Sequence, residues 1–439
     1  MHKIKVEQNT KNLISRIPKE VSQVTNTLEK TGFEAYLVVG CVRDLFMSEI
    51  SFESDDSRSQ NDLSEAEGGK EPKDCAKPEQ IIKLFEKTIY ENTFGTVGVC
   101  VSRETQPHPN PLLKGEGEFS SFHFQGKAGD EVIRETSEYM VIEVTPYRTE
   151  AKYSDFRHPD DVQFSDKLED DLKRRDFTIN AMALRTSSVE GGLSFGGKGH
   201  LVDLFDGIKD IKDKTLRAVG NPDDRFAEDA LRMLRAVRFA CQLNFSVAYE
   251  TMESILKNAN LIKKISSERI HDEFVRIILS ENPASGITML QKFGLLKNII
   301  PELEEGIGCE QLGEHIYDVW NHLLHAVQHS ADKKWSLEIR LAALFHDIGK
   351  PRSRRLAELW IPQGKTLGIQ KGLAFSRSTK KKYTFYGHEV VGARMAKKIM
   401  ERLKFPKKEI ELVEKLVYNH MFFSDTELIT LSAVRRIIA

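Results

Sequence analysis

The sequence predicts an α+β protein in which a head of alternating strands and helices precedes an all-helical remainder. Short β-branched runs at 36–39, 96–101 and 140–145 indicate strands in the first half of the chain. From about residue 222 onward glycine becomes rare, and apolar residues recur with the period of an α-helix. The length of 439 residues leaves room for roughly two to four domains.

In the head, the first strand leads into Gly40 and then into a helix that starts near residues 42–46. In the second half, helical periodicity predicts helices at 230–240, 267–279, 339–345 and 390–403. Three polar stretches at 51–71, 103–129 and 352–382 are predicted to be disordered inserts, because they hold too little apolar surface to fold.

The composition excludes several classes of protein. Apolar residues make up 40% and charged residues 30% of the chain, which excludes a collagen-like, wholly disordered or disulfide-scaffold protein. Lys and Arg number 64 against 66 Asp and Glu, so any nucleic-acid binding has to come from local basic clusters. Five cysteines without a CxxC pair fit reduced thiols and a cytoplasmic location. We expect no membrane span and no signal peptide.

Gly40 and Arg43 stand where the first strand turns into a helix. Glycine lets the backbone approach a phosphate, the helix start offers free N–H groups, and a guanidinium adds a bidentate cation. The pattern therefore indicates a phosphate site, and a tight turn with surface charges is the alternative.

Two further segments concentrate charge. Residues 170–183 place arginine, aspartate and asparagine directly before an apolar run, which is typical of a capped amphipathic helix with a charged entry. Residues 228–239 predict a helix on which Asp229, Arg232 and Arg235 share an arc of about 120°, while Arg238 points elsewhere. Such an arc could read the edge of a base, and a salt-bridged surface is the alternative.

Histidines on successive predicted helices mark the last third of the chain. His322, His346, Asp347 and His388 are followed by His420. This pattern resembles the HD phosphohydrolase superfamily, which implies a divalent metal that activates water for phosphatase or 2′,3′-cyclic phosphodiesterase chemistry. Packed core histidines are the alternative, and the ligand types do not select one metal.

Further motifs accompany these segments in order, at 90–98, 147–159, 203–207 and 267–270. Together they resemble the class II tRNA nucleotidyltransferase and poly(A) polymerase family, in particular the bacterial CCA-adding enzymes with a C-terminal HD domain. Apart from the three inserts, the resemblance covers nearly the whole chain.

The resemblance implies a polymerase-β-like nucleotidyltransferase head with a mixed sheet and helices, an all-α neck and body, and an all-α HD domain. The implied parts are a helical lead-in at 1–33, the head at 34–215, the neck and body at 216–310, the HD domain at 311–430 and the start of a truncated tail at 431–439. Relatives continue with further helices, which we expect to contact the tRNA elbow.

The resemblance also implies which head residues contact the nucleotide. Gly40 and Arg43 would hold the triphosphate, and Arg175 would contribute to the pocket with Asp176 and Asn180 nearby.

In the neck, Asp229 and Arg232 would hydrogen-bond the base edge of incoming CTP or ATP. Arg235 and Arg238 would support the pocket and the phosphates. The implied partners are therefore tRNA, CTP and ATP.

The resemblance further implies two Mg²⁺ ions on an Asp-x-Asp motif in the head. Asp74 matches the first carboxylate and is the implied catalytic residue, but the residues after it supply no second one. Glu53 and Asp55 in the first insert, or Glu143 in the third strand, could replace the missing ligand.

The predicted function is template-independent addition or repair of the 3′-terminal CCA of tRNA. A poly(A) polymerase, or an enzyme that adds only A or only CC, is the nearest alternative. An HD phosphohydrolase with an inactive head on an RNA-binding platform, and a decayed product without activity, are the others.

Overall fold

The structure is a computed structural model that describes residues 16–53, 76–91, 95–102, 139–150, 162–186, 199–311, 316–356 and 383–423. The chain divides into two compact units, one formed by residues 1–151 with 160–211 and the other by residues 152–159 with 212–439. The predicted division into five parts is finer, and its boundaries remain predictions.

The first unit combines helices with short strands. Its helices are α1 (Lys19–Lys30), α2 (Gly40–Glu53), α3 (Pro78–Leu84), α4 (Leu168–Lys173) and α5 (Gly207–Lys212). Its strands are β1 (Leu37–Val38), β2 (Thr88–Glu91), β3 (Thr96–Ser102), β4 (Tyr139–Val144), β5 (Arg148–Glu150), β6 (Val162–Phe164), β7 (Met182–Thr186) and β8 (Gly199–Asp203). The three predicted strands and the helix after Gly40 are confirmed.

The described strands of this unit pair antiparallel, in the orders β1-β7-β8, β2-β3-β4 and β5-β6. One face of β3 carries Val97, Val99 and Val101, which pack with Leu28 of α1 and Ile81 of α3 in an apolar core. This alternation explains the position of β3, because successive side chains of a strand point to opposite faces and only one face of β3 is apolar. The side chains of β4 that point away from the core, such as Val141 and Glu143, are exposed.

The second unit is mainly helical. Its helices are α6 (Pro222–Glu228), α7 (Leu231–Leu243), α8 (Tyr249–Asn258), α9 (Ser267–Ile278), α10 (Pro283–Lys292), α11 (Leu296–Ile299), α12 (Pro301–Glu304), α13 (Val319–Asp332), α14 (Leu337–Phe345), α15 (Lys350–Ser353), α16 (His388–Arg402) and α17 (Lys407–Asn419). Each of the four helices predicted from periodicity is confirmed, with ends shifted by a few residues.

The expectation of an all-helical second half is wrong in detail. Strand β9 (Thr215–Leu216) pairs parallel with β10 (Ser246–Val247), and β11 (Arg355–Leu356) pairs antiparallel with β12 (Tyr383–Thr384). Such two-residue strands are too short to show a period in the sequence.

The first residues of two predicted inserts are ordered, contrary to the expectation. Residues 51–53 belong to the end of α2, residues 352–353 to α15 and residues 355–356 to β11. The remainder of these two inserts and the whole of the insert at 103–129 lie outside the described residues.

Buried Arg340 joins two helices of the second unit. Its NH1 donates hydrogen bonds to the carbonyl oxygens of Ile278 at 3.0 Å and Ser280 at 2.9 Å, and its Nε donates to that of Trp335 at 2.9 Å. The last carbonyl groups of a helix have no partner within the helix. One guanidinium in α14 therefore satisfies the C-terminal end of α9.

Within the described part of the chain, no helix combines the length and apolar character that crossing a membrane requires.

Gly207→Ala is expected to destabilise the first unit. A Cβ atom there would lie 2.5 Å from the carbonyl oxygen of Thr178 and 2.9 Å from Cγ of Met182. Overpacking of this kind costs about 1–3 kcal/mol, so the urea midpoint followed by circular dichroism should fall. Lys209→Ala, on the exposed side of the same helix, is the control and should leave the midpoint unchanged. Equal midpoints for both variants would contradict the close packing at Gly207.

Candidate functional site

The turn between β1 and α2 positions Gly40 and Arg43. Val39 has a left-handed backbone with φ of 64°, which is strained for a β-branched residue. Its carbonyl oxygen accepts a hydrogen bond from the Arg43 N–H at 3.2 Å, so the first turn of α2 forms directly after the strand. A Cβ atom at Gly40 would meet the Arg43 guanidinium only at 3.5 Å, an ordinary contact. The protein's own packing therefore does not require glycine here.

The Arg43 guanidinium is held by polar side chains of the first unit. NH1 donates to Asn180 Oδ1 at 3.1 Å, and Nε donates to Asp44 Oδ1 at 2.8 Å. Asn180 Nδ2 in turn donates to Asp176 Oδ1 at 3.2 Å, and that oxygen also accepts from the Phe177 N–H at 2.8 Å. The structure thus brings Arg43, Asn180 and Asp176 into one hydrogen-bonded chain that fixes the guanidinium near the start of α2.

Arg175 belongs to a separate group that is centred on buried Asp171. Oδ2 of Asp171 accepts from Arg175 NH2 at 2.5 Å, and Oδ1 accepts from Arg174 Nε at 2.9 Å. Burial would raise the pKa of Asp171, but the charges and hydrogen bonds of Arg175 and Arg174 outweigh it and hold that pKa below its ordinary value. No role was predicted for Asp171, although its spacing to both arginines favours ion pairs on a helix.

The implied metal ligands of the head are only partly described. Asp74 and Asp55 lie outside the described residues, and only the backbone of Glu53 is described. Glu143 is exposed on β4, opposite Gly98 of β3. It lies on the sheet face turned away from the apolar core, where solvent reaches its carboxylate.

The predicted helical arc is wrong for Asp229. Helix α7 begins at Leu231, and Asp229 has an extended backbone with φ of −143° and ψ of 104°. Its Oδ1 accepts a hydrogen bond from the Leu231 N–H at 3.0 Å, so it lies before the helix and caps the first turn. The rotation of about 100° per residue that places Arg232 and Arg235 does not extend to Asp229.

Charged partners hold both residues predicted to read the base. Asp229 Oδ2 accepts from Arg269 NH2 at 2.6 Å, and Arg232 NH1 donates to Glu228 Oε2 at 2.6 Å. Sequence analysis did not single out Arg269 as a functional residue, although it stands in the motif at 267–270 that contributed to the resemblance.

Arg238 is held in the interior. It is buried and forms an ion pair with buried Glu273 of α9 at 2.9 Å. Its guanidinium carbon also lies 4.2 Å from the centroid of the Phe239 ring, and that of Arg235 lies 5.4 Å from the same centroid. Both arginines therefore pack against one aromatic side chain, and Arg238 supports α7 from within.

Asp347 is the centre of a histidine cluster in the second unit. Its Oδ2 lies 3.3 Å from Nε2 of both His322 and His346. Its Oδ1 lies 3.2 Å from Nε2 of His388 and 3.5 Å from Nε2 of His420. The structure brings the four predicted residues together and adds His420, which sequence analysis noted only as a following histidine.

Backbone carbonyl groups define the tautomers of three imidazoles. Nδ1 donates to the carbonyl oxygen three residues earlier in each of them: His346 to Ala343 at 2.9 Å, His388 to Phe385 at 2.8 Å and His420 to Val417 at 2.7 Å. Because a carbonyl oxygen only accepts, Nδ1 carries the proton and a neutral ring keeps a lone pair on Nε2.

The lone pairs point to a cation. Nε2 of His388 and Nε2 of His420 face each other at 3.2 Å, beside the Asp347 carboxylate. Two unprotonated nitrogens cannot hydrogen-bond to each other, and a metal ion bound to both would stabilise this arrangement. The residues present therefore fit a divalent metal with imidazole and carboxylate ligands.

The cluster shifts the pKa values of its members. Burial would raise the pKa of Asp347, but the four surrounding imidazoles hold it far below its ordinary value. Burial would lower the pKa of His420, whereas the Asp347 carboxylate and the Val417 carbonyl raise it above its ordinary value. Asp347 is therefore ionised near neutral pH, as a metal ligand has to be.

A close backbone approach positions His388 beside Asp347. A Cβ atom at Gly349 would overlap the carbonyl oxygen of His388 and come within 2.6 Å of the Gly392 nitrogen. Only glycine fits at this crossing, and it allows α16 to lie directly against the turn that carries Asp347.

Comparison with known proteins agrees with these features. Residues 114–217 match the family described as poly A polymerase head domain, residues 244–307 match the probable RNA and SrmB-binding site of polymerase A, and residues 313–437 match the HD domain. The chain is 33% identical over 357 residues to the CCA-adding enzyme of Enterococcus faecalis, which covers 78% of this chain and 73% of that relative. This chain belongs to the CCA-adding enzyme family. The resemblance inferred from the sequence motifs is thereby confirmed.

Other members of the family match a smaller part of their length. The CCA-adding enzyme of Ligilactobacillus salivarius is 38% identical over 279 residues, which is 63% of this chain and 54% of that relative. The chain thus spans about half the length of several curated relatives that it matches.

Solved structures of family members share the fold. The crystal structure of the Bacillus stearothermophilus CCA-adding enzyme in complex with CTP has a TM-score of 0.56 and 23% identity, over 95% of this chain and 74% of that chain. An apo form of a CCA-adding enzyme has a TM-score of 0.55 and 16% identity, over 100% of this chain and 80% of that chain.

Asp171→Asn is expected to lower the free energy of unfolding near neutral pH by about 3 kcal/mol, because Arg174 and Arg175 lose their buried partner. The native pKa of Asp171 lies below its ordinary value. The advantage of the wild type is therefore fully present above about pH 4 and is lost as the pH falls through the native pKa.

Urea unfolding of both proteins over this pH range measures the difference. Asp170→Asn is the control and should have a smaller effect, because Asp170 accepts from the neutral Ser165 hydroxyl. A difference that stays constant down to the lowest pH would contradict the ion-pair origin.

Proposed function

We propose that this chain adds or repairs the 3′-terminal CCA of tRNA with CTP and ATP and without a nucleic-acid template. The observation that carries the proposal is its membership in the CCA-adding enzyme family, through a relative of which 73% is covered. The arginine and carboxylate groups described above supply the functional groups that such a reaction needs. We also propose a cytoplasmic location, where tRNA maturation would provide the substrate.

In the head, Gly40 and Arg43 are proposed to bind the triphosphate. The first N–H groups of α2 offer donors to a phosphate, and the guanidinium adds positive charge at the same end of the helix. Asn180 and Asp176 keep Arg43 in place through their hydrogen bonds. Arg175, held by Asp171, is proposed to contribute to the nucleotide pocket.

In the neck, Asp229 and Arg232 are proposed to hydrogen-bond the edge of the incoming base. Both are oriented by charged partners, Arg269 and Glu228, so their positions are set before a nucleotide arrives. If base selection parallels recognition in a nucleic-acid groove, each bidentate pair discriminates by about 1–3 kcal/mol. Arg235 and Arg238 are proposed to support this region.

We propose that Asp74 and Glu143 hold Mg²⁺ in the head. Glu143 is exposed on the open face of the β2-β3-β4 sheet, as a ligand for a substrate-bound ion has to be. When bound, a pair of metal ions activates the attacking hydroxyl and stabilises the leaving pyrophosphate.

A second function is proposed for the histidine cluster. His322, His346, Asp347, His388 and His420 are proposed to bind a divalent metal, which supplies an activated water for hydrolysis of a phosphate monoester or a 2′,3′-cyclic phosphate. The paired Nε2 lone pairs favour a metal site over a packed structural cluster.

The reaction is tested by incubating the full chain with labelled CTP or ATP and three acceptors: tRNA lacking CCA, tRNA lacking only the final A, and a generic RNA. We expect C and then A to enter the first acceptor, only A to enter the second, and neither to enter the third. Incorporation of A alone into any RNA would favour a poly(A) polymerase instead.

Asp347→Asn separates the two proposed activities. Hydrolysis of a 2′,3′-cyclic nucleotide should be lost in this variant while nucleotide incorporation continues. Hydrolysis by the wild type without any incorporation would identify an HD phosphohydrolase with an inactive head.

Glu143→Gln is expected to lower incorporation about 100-fold or more, because an amide cannot replace an anionic ligand of two metal ions. Circular dichroism should remain unchanged, since the side chain is exposed. Glu79→Gln, at an exposed position of α3, is the control and should retain activity. If Glu143→Gln is fully active, the second carboxylate comes from Glu53 or Asp55, and their substitutions should then abolish incorporation.

A further inference from the structure

The two oxygens of the Asp347 carboxylate have different surroundings. Oδ2 lies 2.7 Å from the Lys350 ammonium as well as beside two imidazoles. Lys350 is buried, and its Nζ also donates to Gln311 Oε1 at 2.6 Å. Gln311 is buried too and donates through Nε2 to the Tyr317 carbonyl oxygen at 3.3 Å. Both Asp347 and Gln311 therefore hold the Lys350 ammonium beside Oδ2.

The Oδ1 side carries no such cation among the residues that the structure describes. There, Oδ1 is buried without an aligned hydrogen-bond donor, although two imidazole Nε2 atoms lie within 3.5 Å. The side chains of His388 and His420 are 8% and 15% exposed, whereas that of His322 is 31% exposed. The histidines on this side are thus the less exposed to solvent, and no described ammonium or guanidinium group lies beside Oδ1.

The difference defines two pockets. The Oδ1 pocket consists of Asp347 Oδ1, His388 and His420, and the Oδ2 pocket consists of Asp347 Oδ2, His322 and His346. A divalent ion in the Oδ2 pocket would share its only described anionic ligand with an ammonium group and would be repelled by it. An ion in the Oδ1 pocket faces no such competition and is less screened by water.

We propose that Lys350 makes these two metal pockets unequal, so that a divalent ion fills the Oδ1 pocket first and the Oδ2 pocket binds a second ion only weakly. The proposal rests on the proposed metal binding of the cluster. Lys350 acts here through Asp347 as a positioning residue, because it replaces a second metal as the counter-charge of Oδ2. A filled Oδ1 pocket then lies on the less exposed side of the cluster, and His322 and His346 lie on the more exposed side.

The test titrates Mn²⁺ into the chelator-treated full chain and follows heat and the electron paramagnetic resonance spectrum. Asp347→Asn serves as the blank, so that binding at other sites of the chain is subtracted. For the wild type we expect one Mn²⁺ to bind about tenfold or more tightly than the second. The spectrum should show an isolated ion at one equivalent, and coupling between two ions should arise only at a large excess.

Lys350→Met removes the charge and keeps an apolar stem of similar length. The two affinities should then lie within about threefold of each other, and coupling should arise at two equivalents. Lys397→Met is the matched control, because it also removes one ammonium group. Lys397 lies on α16 and pairs with Glu414. It should leave both affinities unchanged.

Ligand variants identify the pocket without altering Lys350. His420→Gln should abolish the tight binding, and His322→Gln should preserve it. Loss of the tight ion in His322→Gln, equal affinities in the wild type, or an unchanged ratio in a folded Lys350→Met protein would each overturn the inference while leaving metal binding intact. Absence of any Mn²⁺ binding above the blank would overturn the proposed metal function itself.

Discussion

A buried carboxylate needs hydrogen-bonded or cationic partners within the protein, and this constraint organises the described candidate sites. Asp171 pairs with two arginines, Glu273 pairs with Arg238, and Asp347 pairs with Lys350 among four imidazoles. Removing one partner of such a pair leaves an uncompensated charge in a medium of low polarity, which is far more costly than losing an exposed ion pair. The side chains proposed to meet substrate are therefore oriented by the folded chain and not by the ligand.

The helical framework could be predicted from the sequence because its cause is local. Apolar residues such as Leu234 and Val237 recur once per turn, and they are buried in α7. The position of Asp229 could not be predicted in this way. The helix that begins at Pro222 ends just before Asp229. The Asp229 side chain accepts a hydrogen bond from the Leu231 N–H, and its backbone does not follow the helical rotation. The backbone between two helices is set by capping hydrogen bonds, and the periodicity of apolar residues does not predict these.

Of the candidate sites, only the residues within a sequence motif could be predicted. Adjacent His346 and Asp347 are visible in the sequence, and so is the strand-to-helix turn at Gly40. The partners that give these residues their properties come from distant segments: Asn180 fixes Arg43, and Gln311 fixes Lys350. Such pairings depend on how helices pack, and one sequence by itself carries no local signal for them.

The hydrogen bonds of Arg340 bear on how the chain could lose one of the two proposed activities and keep the other. Its guanidinium caps α9, in which Arg269 holds Asp229, proposed to read the base, and Glu273 holds Arg238, proposed to support that region. Deleting α14 would remove Arg340 and leave the buried carbonyl groups of Ile278 and Ser280 without this hydrogen-bond donor. The proposed hydrolysis would thus be lost most easily by exchange of a candidate ligand such as His322, which leaves the helices in place. A chain that had lost this activity would therefore keep the fold of its second unit.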